Sequence, residues 1–297
     1  MSHHLPSKHI ICVGAVYIDT VLTVPHFPQE DTKLRAKKLM RRRGGNTANT
    51  LEVLAQLLEN DPAPLLQPPQ GVEDPGTWLH LISVLPHHAS PACCFIMDSL
   101  PHVDLGESSI FRHEHEDAAA SYIIQSQETL SRTIVSVNEL PEMTLDEFKI
   151  RINTLSHRSS DKGIPQFWIH FEGRVPDITL ECVRFLRHEH PEHKISVECE
   201  KPERSGMIEV ATFANAVFYS KLWVETHGFG EARTFLEAQL GDTREEAILC
   251  CTWGAGGATA VQKNMVGENQ WAAVDAWKPH EGDRRQVVDT IGAGGMP

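Results

Sequence analysis

The sequence IICVGAVYID (residues 10–19) is an apolar run that an acidic residue closes. Such a run of β-branched and apolar residues is typical of a buried strand. Similar runs of four to eight residues recur with helical patterns between them, and this alternation predicts an α/β fold with a mostly parallel sheet. The clearest strands are predicted at residues 10–17, 78–84, 167–171, 195–199, 216–219 and 247–252.

Helices are predicted between several of these strands. Apolar residues at helical spacing follow a polar start in residues 46–58 and again in residues 177–188. Residues 59–77 carry five prolines and two glycines, which predicts an irregular surface insertion. No internal repeat is visible, so residues 1–297 are interpreted as a single domain.

Two segments, within residues 20–44 and 118–139, break the α/β alternation. Both have the pattern of paired antiparallel strands, and the second contains a connection of hairpin length. The strands are predicted at residues 20–24, 33–40, 119–126 and 132–138. We expect them to form a small accessory sheet beside the main one.

Composition limits the classes of partner. The chain has 27 Lys and Arg against 40 Asp and Glu, a net charge of −13, which repels phosphodiester backbones and anionic lipid headgroups. Nucleic-acid and membrane binding are therefore not expected, and no apolar run reaches the roughly 18 residues of a membrane span. The seven cysteines are dispersed and lack Cys-x-x-Cys spacing, as is typical of reduced thiols in a cytoplasmic protein.

The strongest local motif is RGGNTAN (residues 43–49), which leads into the first predicted helix. Paired glycines let a backbone approach a ligand, and Asn46 and Asn49, one helical turn apart, can both offer donors and acceptors to sugar hydroxyls. Asp19 adds a carboxylate after the first strand, where open α/β sheets bind ligands. A plain glycine turn with an asparagine cap, and a turn role for Asp19, are the alternatives.

A second glycine-rich stretch, TWGAGG (residues 252–257), follows a predicted strand. Backbone N–H groups of such a turn can bind phosphate, but the spacing and lysine of a P-loop are absent. Residues 258–262 have a strand pattern, whereas a dinucleotide-binding fingerprint requires a helix there. A dinucleotide-dependent oxidoreductase is therefore disfavoured.

The sequence closes with VDTIGAGGMP (residues 288–297). A glycine-rich run that follows a short strand and opens a helix is a natural anion site, because free N–H groups and the helix dipole converge there. On physical grounds alone, a frayed terminal tail is the alternative.

These three motifs, in this order and with this spacing, resemble those of the ribokinase (PfkB) family of sugar kinases. Further likeness is carried by the stretches CVG (12–14), SRT (131–133), WIHFEGR (168–174), SVECEKP (196–202) and SK (220–221). The resemblance covers essentially the whole chain except residues 59–77 and part of residues 85–117. It implies a ribokinase-like three-layer α/β/α sandwich in which the accessory strands form a lid.

The resemblance also implies roles for particular residues. The sugar hydroxyls would be held by Asp19, Gly45, Asn46 and Asn49, with Arg132 and Glu172 near the sugar and phosphate. The nucleotide would lie along Thr252, Gly254, Gly257 and Thr290. The anion hole for the transferred phosphoryl group would be formed by Gly292, Ala293 and Gly294. Such a kinase uses ATP and Mg²⁺, and phosphoryl transfer requires mainly positioning, exclusion of water and charge stabilisation.

Two positions depart from the family pattern. The family motif ends in an aspartate that deprotonates the acceptor hydroxyl, whereas this chain has Gly295, so no catalytic base is present there and impaired activity is expected. The family's Asn-x-x-Glu feature is replaced by SKLW (residues 220–223), which leaves the ligands of Mg²⁺ unassigned. Because family members continue further, the chain is interpreted as truncated at its C-terminus.

The resulting interpretation is ATP-dependent phosphorylation of a free sugar, with details that favour a ketohexose such as fructose, phosphorylated at its 1-hydroxyl. A kinase of another sugar or of a nucleoside is one alternative, and a non-catalytic sugar- or nucleotide-binding protein is the other. The expected partners are the small-molecule sugar and ATP, together with a second copy of the chain paired through the lid.

The sequence also contains histidine-rich and basic stretches. HEHE (residues 113–116) and HEHPEH (residues 188–193) resemble metal-ligand strings, but neither places two histidines one helical turn apart with a third ligand. A metal is not expected at either stretch. The basic residues Lys37, Lys38 and 41–43 are interpreted as the solvated face of a lid strand.

Overall fold

The computed structural model describes residues 7–60, 76–159, 165–264 and 266–276. Its strands are β1 (Lys8–Val13), β2 (Tyr17–Val24), β3 (Lys38–Gly44), β4 (Thr77–Ile82), β5 (Val84–Leu85), β6 (Ile110–Phe111), β7 (Ala120–Ser126), β8 (Arg132–Val137), β9 (Gln166–Phe171), β10 (Lys194–Cys199), β11 (Ala216–Ser220), β12 (Ile248–Thr252), β13 (Ala258–Gln262) and β14 (Gln270–Val274). Its helices are α1 (Asn46–Asn60), α2 (Pro91–Asp98), α3 (Leu145–Ser159), α4 (Pro176–Glu189), α5 (Met207–Thr212), α6 (Lys221–Thr226) and α7 (Ala232–Gln239).

The main sheet has eight strands in the order β14-β13-β12-β11-β10-β9-β1-β4. The six strands from β12 to β4 are parallel, and β13 and β14 continue the sheet antiparallel at one edge. Parallel strands bring their carboxyl ends to one edge, which is where open α/β sheets bind ligands. The predicted α/β class is confirmed.

Alternate residues of the strands pack into two separate cores. Ile11 and Val13 of β1 face a large core that includes Phe148 of α3 and Trp223 of α6. Cys12 faces a smaller core with α1 and α2 on the opposite side of the sheet. Each fully buried large apolar side chain contributes about 1.5–3 kcal/mol, so the larger core supplies much of the stability.

The first predicted strand, residues 10–17, is divided in the structure. β1 ends at Val13, and β2 begins at Tyr17 and belongs to a different sheet. The continuous apolar sequence hid this break, because the turn at residues 14–16 carries no polar residue. The strand predicted at residues 33–40 to pair with β2 is Lys38–Gly44 in the structure. Its hydrogen-bonded register extends from Lys38, opposite Thr23, to Gly44, opposite Tyr17.

The predicted insertion is narrower than residues 59–77. Glu59 still belongs to α1, and Thr77 begins β4. Residues 61–75 lie outside the described residues.

The accessory strands, which are the predicted lid, form a four-stranded sheet in the order β3-β2-β7-β8. β2–β3 and β7–β8 are antiparallel pairs, whereas β2 and β7 run parallel. The outer strand β8 is exposed along its whole length, including Ile134, Val135 and Val137. Exposed apolar edge strands favour pairing with another chain. Association of two copies through this strand stays a prediction.

All seven cysteines are free, and five of them are buried (Cys12, Cys93, Cys182, Cys199 and Cys251). Burial raises the pKa of the Cys182 thiol to about 12 and that of Cys93 to about 11. The buried thiols are therefore protonated and act as small apolar core residues. Among the described residues, no helix is both long and apolar enough to cross a bilayer.

Buried polar side chains form a hydrogen-bonded chain at the amino end of β1. Ser7 Oγ lies 2.9 Å from His9 Nε2, and His9 Nδ1 lies 2.9 Å from His80 Nε2. His80 Nδ1 lies 3.0 Å from Asp104 Oδ2. If each histidine is neutral, Ser7 donates to His9, His9 donates to His80 and His80 donates to the carboxylate, so every group is satisfied.

Protonation of His9 disturbs this chain. Burial, and secondarily the neighbouring His80, lower the pKa of His9 to about 4. An unfolded chain binds this proton below a pH of about 6.5, whereas the folded chain resists it until about 4. His9 therefore removes stability as the pH falls from about 6.5 to 4, by at most about 3 kcal/mol.

We predict that His9→Gln flattens the pH dependence of the free energy of unfolding within this window, measured by urea denaturation at several pH values. The pKa of His193 is also lowered by burial, so part of the slope is retained. The matched control is His102→Gln, because His102 lies at the surface. Equal slopes for the wild type and His9→Gln would contradict the role of this chain.

Candidate functional site

Three glycines permit a close approach of backbone segments at the carboxyl end of β1. A Cβ at Gly45 would lie 2.3 Å from the carbonyl oxygen of Ala15, and its φ of +106° also requires glycine. A Cβ at Gly44 would lie 2.5 Å from Asp19 Oδ2, and one at Gly14 would lie 2.4 Å from Glu172 Oε2. Each glycine therefore makes room for a carboxylate or a carbonyl group.

This crossing forms one wall of an open cleft of about 640 Å³. Its lining brings together Asp19, Gly45, Asn46 and Asn49. β2 supplies Asp19, and the first turn of α1 supplies both asparagines, as the local motif predicts. The cleft thus presents a carboxylate and two amides, a set that matches the alternating donors and acceptors of a polyol.

Asp19 is buried beside positive charge. Arg42 Nε lies 3.8 Å from Asp19 Oδ2. Burial raises the pKa of Asp19, while the Arg42 charge, a hydrogen bond from Ser121 and the Arg43 charge oppose this rise. A desolvated carboxylate of this kind is a strong hydrogen-bond acceptor for a hydroxyl group.

Arg43 is built into the cleft, although its sequence context predicts a solvated basic strand. Its guanidinium donates to Asn49 Oδ1 at 2.7 Å and forms an ion pair with Glu52. Its side chain is only 5% exposed. Arg43 therefore fixes the orientation of the Asn49 amide, whereas Lys38 and Arg41 are exposed as expected.

Two carboxylates behind Asn46 have no role assigned from the sequence. The Asn46 amide Nδ2 donates to Glu200 Oε2 at 3.1 Å and approaches Glu198 Oε2 at 3.5 Å. Both acids lie at the carboxyl end of β10, two residues apart, and so project from the same face of the sheet. Because the amide nitrogen of Asn46 donates to these acids, its amide oxygen points the other way and can accept a hydrogen bond from a donor such as a hydroxyl group. The signal in the sequence was the Glu-x-Glu at a strand end.

Glu172 lies beneath the cleft and does not line it. Its Oε2 accepts the N–H of Ala15 at 2.9 Å. Burial raises the pKa of the Glu172 carboxyl group. The hydrogen bond from Ala15 lowers this pKa, whereas the negative charge of Glu198 raises it further. Glu198 in turn contacts the neighbouring strand β9, because its Oε1 lies 3.2 Å from His170 Nε2. Glu172 holds the Gly14–Val16 turn in place.

Arg132 is not brought to the cleft within one chain. It pairs with Gln125 at one end of the lid sheet, whereas Asp19 is in register with Ser121, four residues away along β7. At about 3.3 Å per residue, this separates the two rows by about 13 Å.

The turn predicted to bind nucleotide lies at the same edge of the sheet as the cleft. Gly254–Gly256 form a 3-10 turn after Thr252, the last residue of β12. A Cβ at Gly257 would lie 1.9 Å from the Val274 carbonyl oxygen, whereas Gly254 faces open space. Gly257 therefore shapes the turn, and Gly254 is free to approach a ligand. The ammonium of Lys221 lies 5.4 Å from the ring of Trp253, which adds a positive charge here.

The glycine-rich stretch predicted as an anion hole, Gly292 to Gly294, lies outside the described residues, as do Thr290 and Gly295. The positions of these residues therefore stay predictions.

Known proteins share both sequence and fold with this chain. Mouse ketohexokinase is 25% identical over 297 residues, which cover 98% of this chain and 86% of the mouse protein. Ribokinase from Giardia lamblia superposes with a TM-score of 0.67 at 13% identity, covering 97% of this chain and 80% of that one. No family model matches the chain.

An uncharacterised sugar kinase from Pyrococcus horikoshii, solved in complex with ATP, superposes with a TM-score of 0.61 at 15% identity. The alignment covers 96% of this chain and 81% of that one. Since these two solved structures are below 25% identity, they establish the fold alone. The sequence similarity to the mouse enzyme extends over nearly the whole of this chain. The chain is a homologue of ketohexokinase with the ribokinase-like fold of the carbohydrate kinases.

Proposed function

We propose that the chain binds a free sugar in the cleft lined by Asp19 and Asn46 and transfers to it the γ-phosphate of ATP. The observation that carries the proposal is this arrangement of a buried carboxylate and oriented amides at the carboxyl ends of parallel strands. Its likeness to ketohexokinase over nearly the full chain supports the same reaction class.

The lid supports the proposal because it borders the cleft. Asp19 itself belongs to lid strand β2, and Gly44 ends lid strand β3. Movement of these strands would change the position of a sugar-binding carboxylate and the access of water together. Exclusion of water favours phosphoryl transfer over hydrolysis of the nucleotide.

The nucleotide is proposed to lie along the Thr252–Gly257 turn. Glu200 follows β10, and Thr252 ends β12, two strands away and about 10 Å along the same edge. Gly254 leaves open space beside the backbone, and Lys221 supplies a cation for phosphate. A protein of this fold from Pyrococcus horikoshii was solved in complex with ATP, which supports ATP as the nucleotide.

Glu200 is the described carboxylate that best fits Mg²⁺. Burial and the charge of Glu198 raise its pKa, so a nearby cation would relieve the repulsion between the two acids. Carboxylate oxygen is the ligand that Mg²⁺ prefers. When bound, Mg²⁺ neutralises charge on the nucleotide phosphates.

A ketohexose such as fructose, phosphorylated at the 1-hydroxyl, is the proposed substrate. The support is the 25% identity with ketohexokinase. Another sugar, a nucleoside, or binding without catalysis are the alternatives, and a panel of acceptors with ATP separates them by release of ADP. The seven free thiols support a reducing, cytoplasmic location.

We predict that Asn46→Ala weakens binding of fructose by roughly tenfold, because it removes hydrogen bonds to the sugar. Binding of ATP measured without Mg²⁺ should be unchanged, since the nucleotide turn lies at other strands and the contact of Asn46 with the proposed Mg²⁺ ligand, Glu200, is then not involved. Isothermal titration calorimetry with each ligand measures both constants. Asn264→Ala is the matched control, because Asn264 follows β13, away from the cleft. Equal losses for both ligands with Asn46→Ala would contradict the placement of the sugar.

We also propose that Gly295 limits the rate of transfer, because the family's base is missing at this position. Gly295→Asp is predicted to raise ATP-dependent phosphorylation by roughly 10²–10⁴-fold, the usual contribution of a general base. ADP release measured with fructose tests this. Gly295→Asn is the matched control, since it has a similar shape without the basic carboxylate. The same rate for both variants would contradict the proposal.

A further inference from the structure

Three histidines from two separate loops meet outside the sugar cleft. His87 and His88 follow β5, and His113 follows β6. Val84 pairs with Ile110 in the short parallel ladder of β5 and β6, which brings the two loops side by side. The His87 N–H then donates to the carbonyl oxygen of His115 at 2.7 Å. Backbone pairing therefore brings the three histidines together from the two loops.

The rings of this three-histidine cluster are spaced as ligands of one ion. Their centroids are separated by 4.7 Å (His87–His88), 5.5 Å (His87–His113) and 6.1 Å (His88–His113). With Zn–N bonds of about 2.1 Å and tetrahedral angles, the centroids of coordinating imidazoles are expected about 5 Å apart. One ring nitrogen from each residue already lies within 4.8 Å of the other two.

The orientation of the rings also suits a shared ion. An imidazole coordinates in its own plane, so the planes of three ligands must meet at the metal. The ring planes of the cluster are inclined at 37°, 72° and 81° to one another. His88 and His113 are exposed, so solvent leaves room for their rings to rotate about the side-chain bonds toward a shared ion.

We propose that His87, His88 and His113 bind Zn²⁺, with the fourth position taken by water. Neutral imidazole is a preferred ligand of Zn²⁺, and three of them form a known tetrahedral set with an open position. The exposed acids Glu114 and Glu116 lie on the same loop as His113 and attract a dication. His87 Nδ1 accepts a hydrogen bond from the Ala89 N–H at 3.2 Å. If Nδ1 binds the ion, this hydrogen bond is lost, and the exposed Ala89 N–H donates to water instead.

The consequence is a cross-link between two loops at the edge strand of the main sheet. β5 and β6 are only two residues long each, so their ladder contributes little stability by itself. An ion bound by both loops would stabilise the folded state by an amount that grows with the logarithm of its concentration over its dissociation constant.

A second group of potential ligands, His190, Glu192 and His193, supplies the control. The rings of His190 and His193 are parallel within 1°, with centroids 5.2 Å apart. Parallel ring planes share a metal only if they coincide, so these rings are not arranged for one ion. His193 is also buried, which hinders access from solvent.

The test is a titration of the metal-free full-length chain with Co²⁺ and Zn²⁺. We expect the wild type to bind one Co²⁺ with the intense visible absorption of four-coordinate cobalt. Excess Zn²⁺ should abolish this absorption and raise the Tm by roughly 5 °C at a hundredfold excess over the dissociation constant. His113→Ala and, separately, His88→Ala should each lose the absorption and the shift in Tm.

Two control variants separate this cluster from other histidines. His190→Ala should retain the cobalt spectrum, and so should a variant with His3→Ala and His4→Ala. Circular dichroism of the metal-free variants shows whether they fold, and the exposed positions of His88 and His113 leave the core intact. An unchanged spectrum in His113→Ala and His88→Ala, or only the weak absorption of six-coordinate cobalt in the wild type, would overturn the proposal.

Discussion

The cleft depends on close contact between backbone segments that only glycine allows. The turn after β1 and the turn before α1 approach so closely that any side chain at Gly45 would collide with the Ala15 carbonyl oxygen. Likewise, a side chain at Gly44 would collide with the Asp19 carboxylate, and one at Gly14 would collide with the Glu172 carboxylate. This contact joins the accessory sheet to the main sheet and brings Asp19 beside the first turn of α1.

Charge and burial are balanced in the cleft by groups from distant parts of the sequence. Asp19 is desolvated but lies beside Arg42, and Asn49 is oriented by Arg43. Asn46 is held by acids at the end of β10. A ligand with several hydroxyl groups would therefore meet fixed donors and acceptors that need little rearrangement, and such preorganisation favours binding of a positioned substrate.

The sequence predicted those parts of the fold and cleft that depend on local pattern. The α/β class follows from the alternation of apolar runs and helical spacing, and the glycine-asparagine motif placed Asn46 and Asn49 on one helical turn. The strands of the accessory sheet were recognised from their short antiparallel patterns. The prediction for β3, residues 33–40, began and ended too early, because its basic residues do not indicate where pairing with β2 begins.

Most of what the sequence did not predict depends on long-range pairing. Glu200 contacts Asn46 only because the first residue of α1 lies beside the carboxyl end of β10. Arg43 is buried because Glu52 and Asn49 lie on the helix that follows it. His113 reaches His87 only through the two-residue ladder of β5 and β6. The contacts of Glu200 and His113 require pairing between segments that are far apart in sequence. The contacts of Arg43 are local and depend on how β3 turns into α1.

A crystal structure of the chain with fructose and a non-hydrolysable ATP analogue tests the placement of both ligands most directly. We expect sugar hydroxyls within about 3.2 Å of the Asp19 carboxylate and the Asn46 amide, with the γ-phosphate directed at the nearest hydroxyl. A sugar bound elsewhere, or a nucleotide away from the turn at Gly254, would contradict this placement.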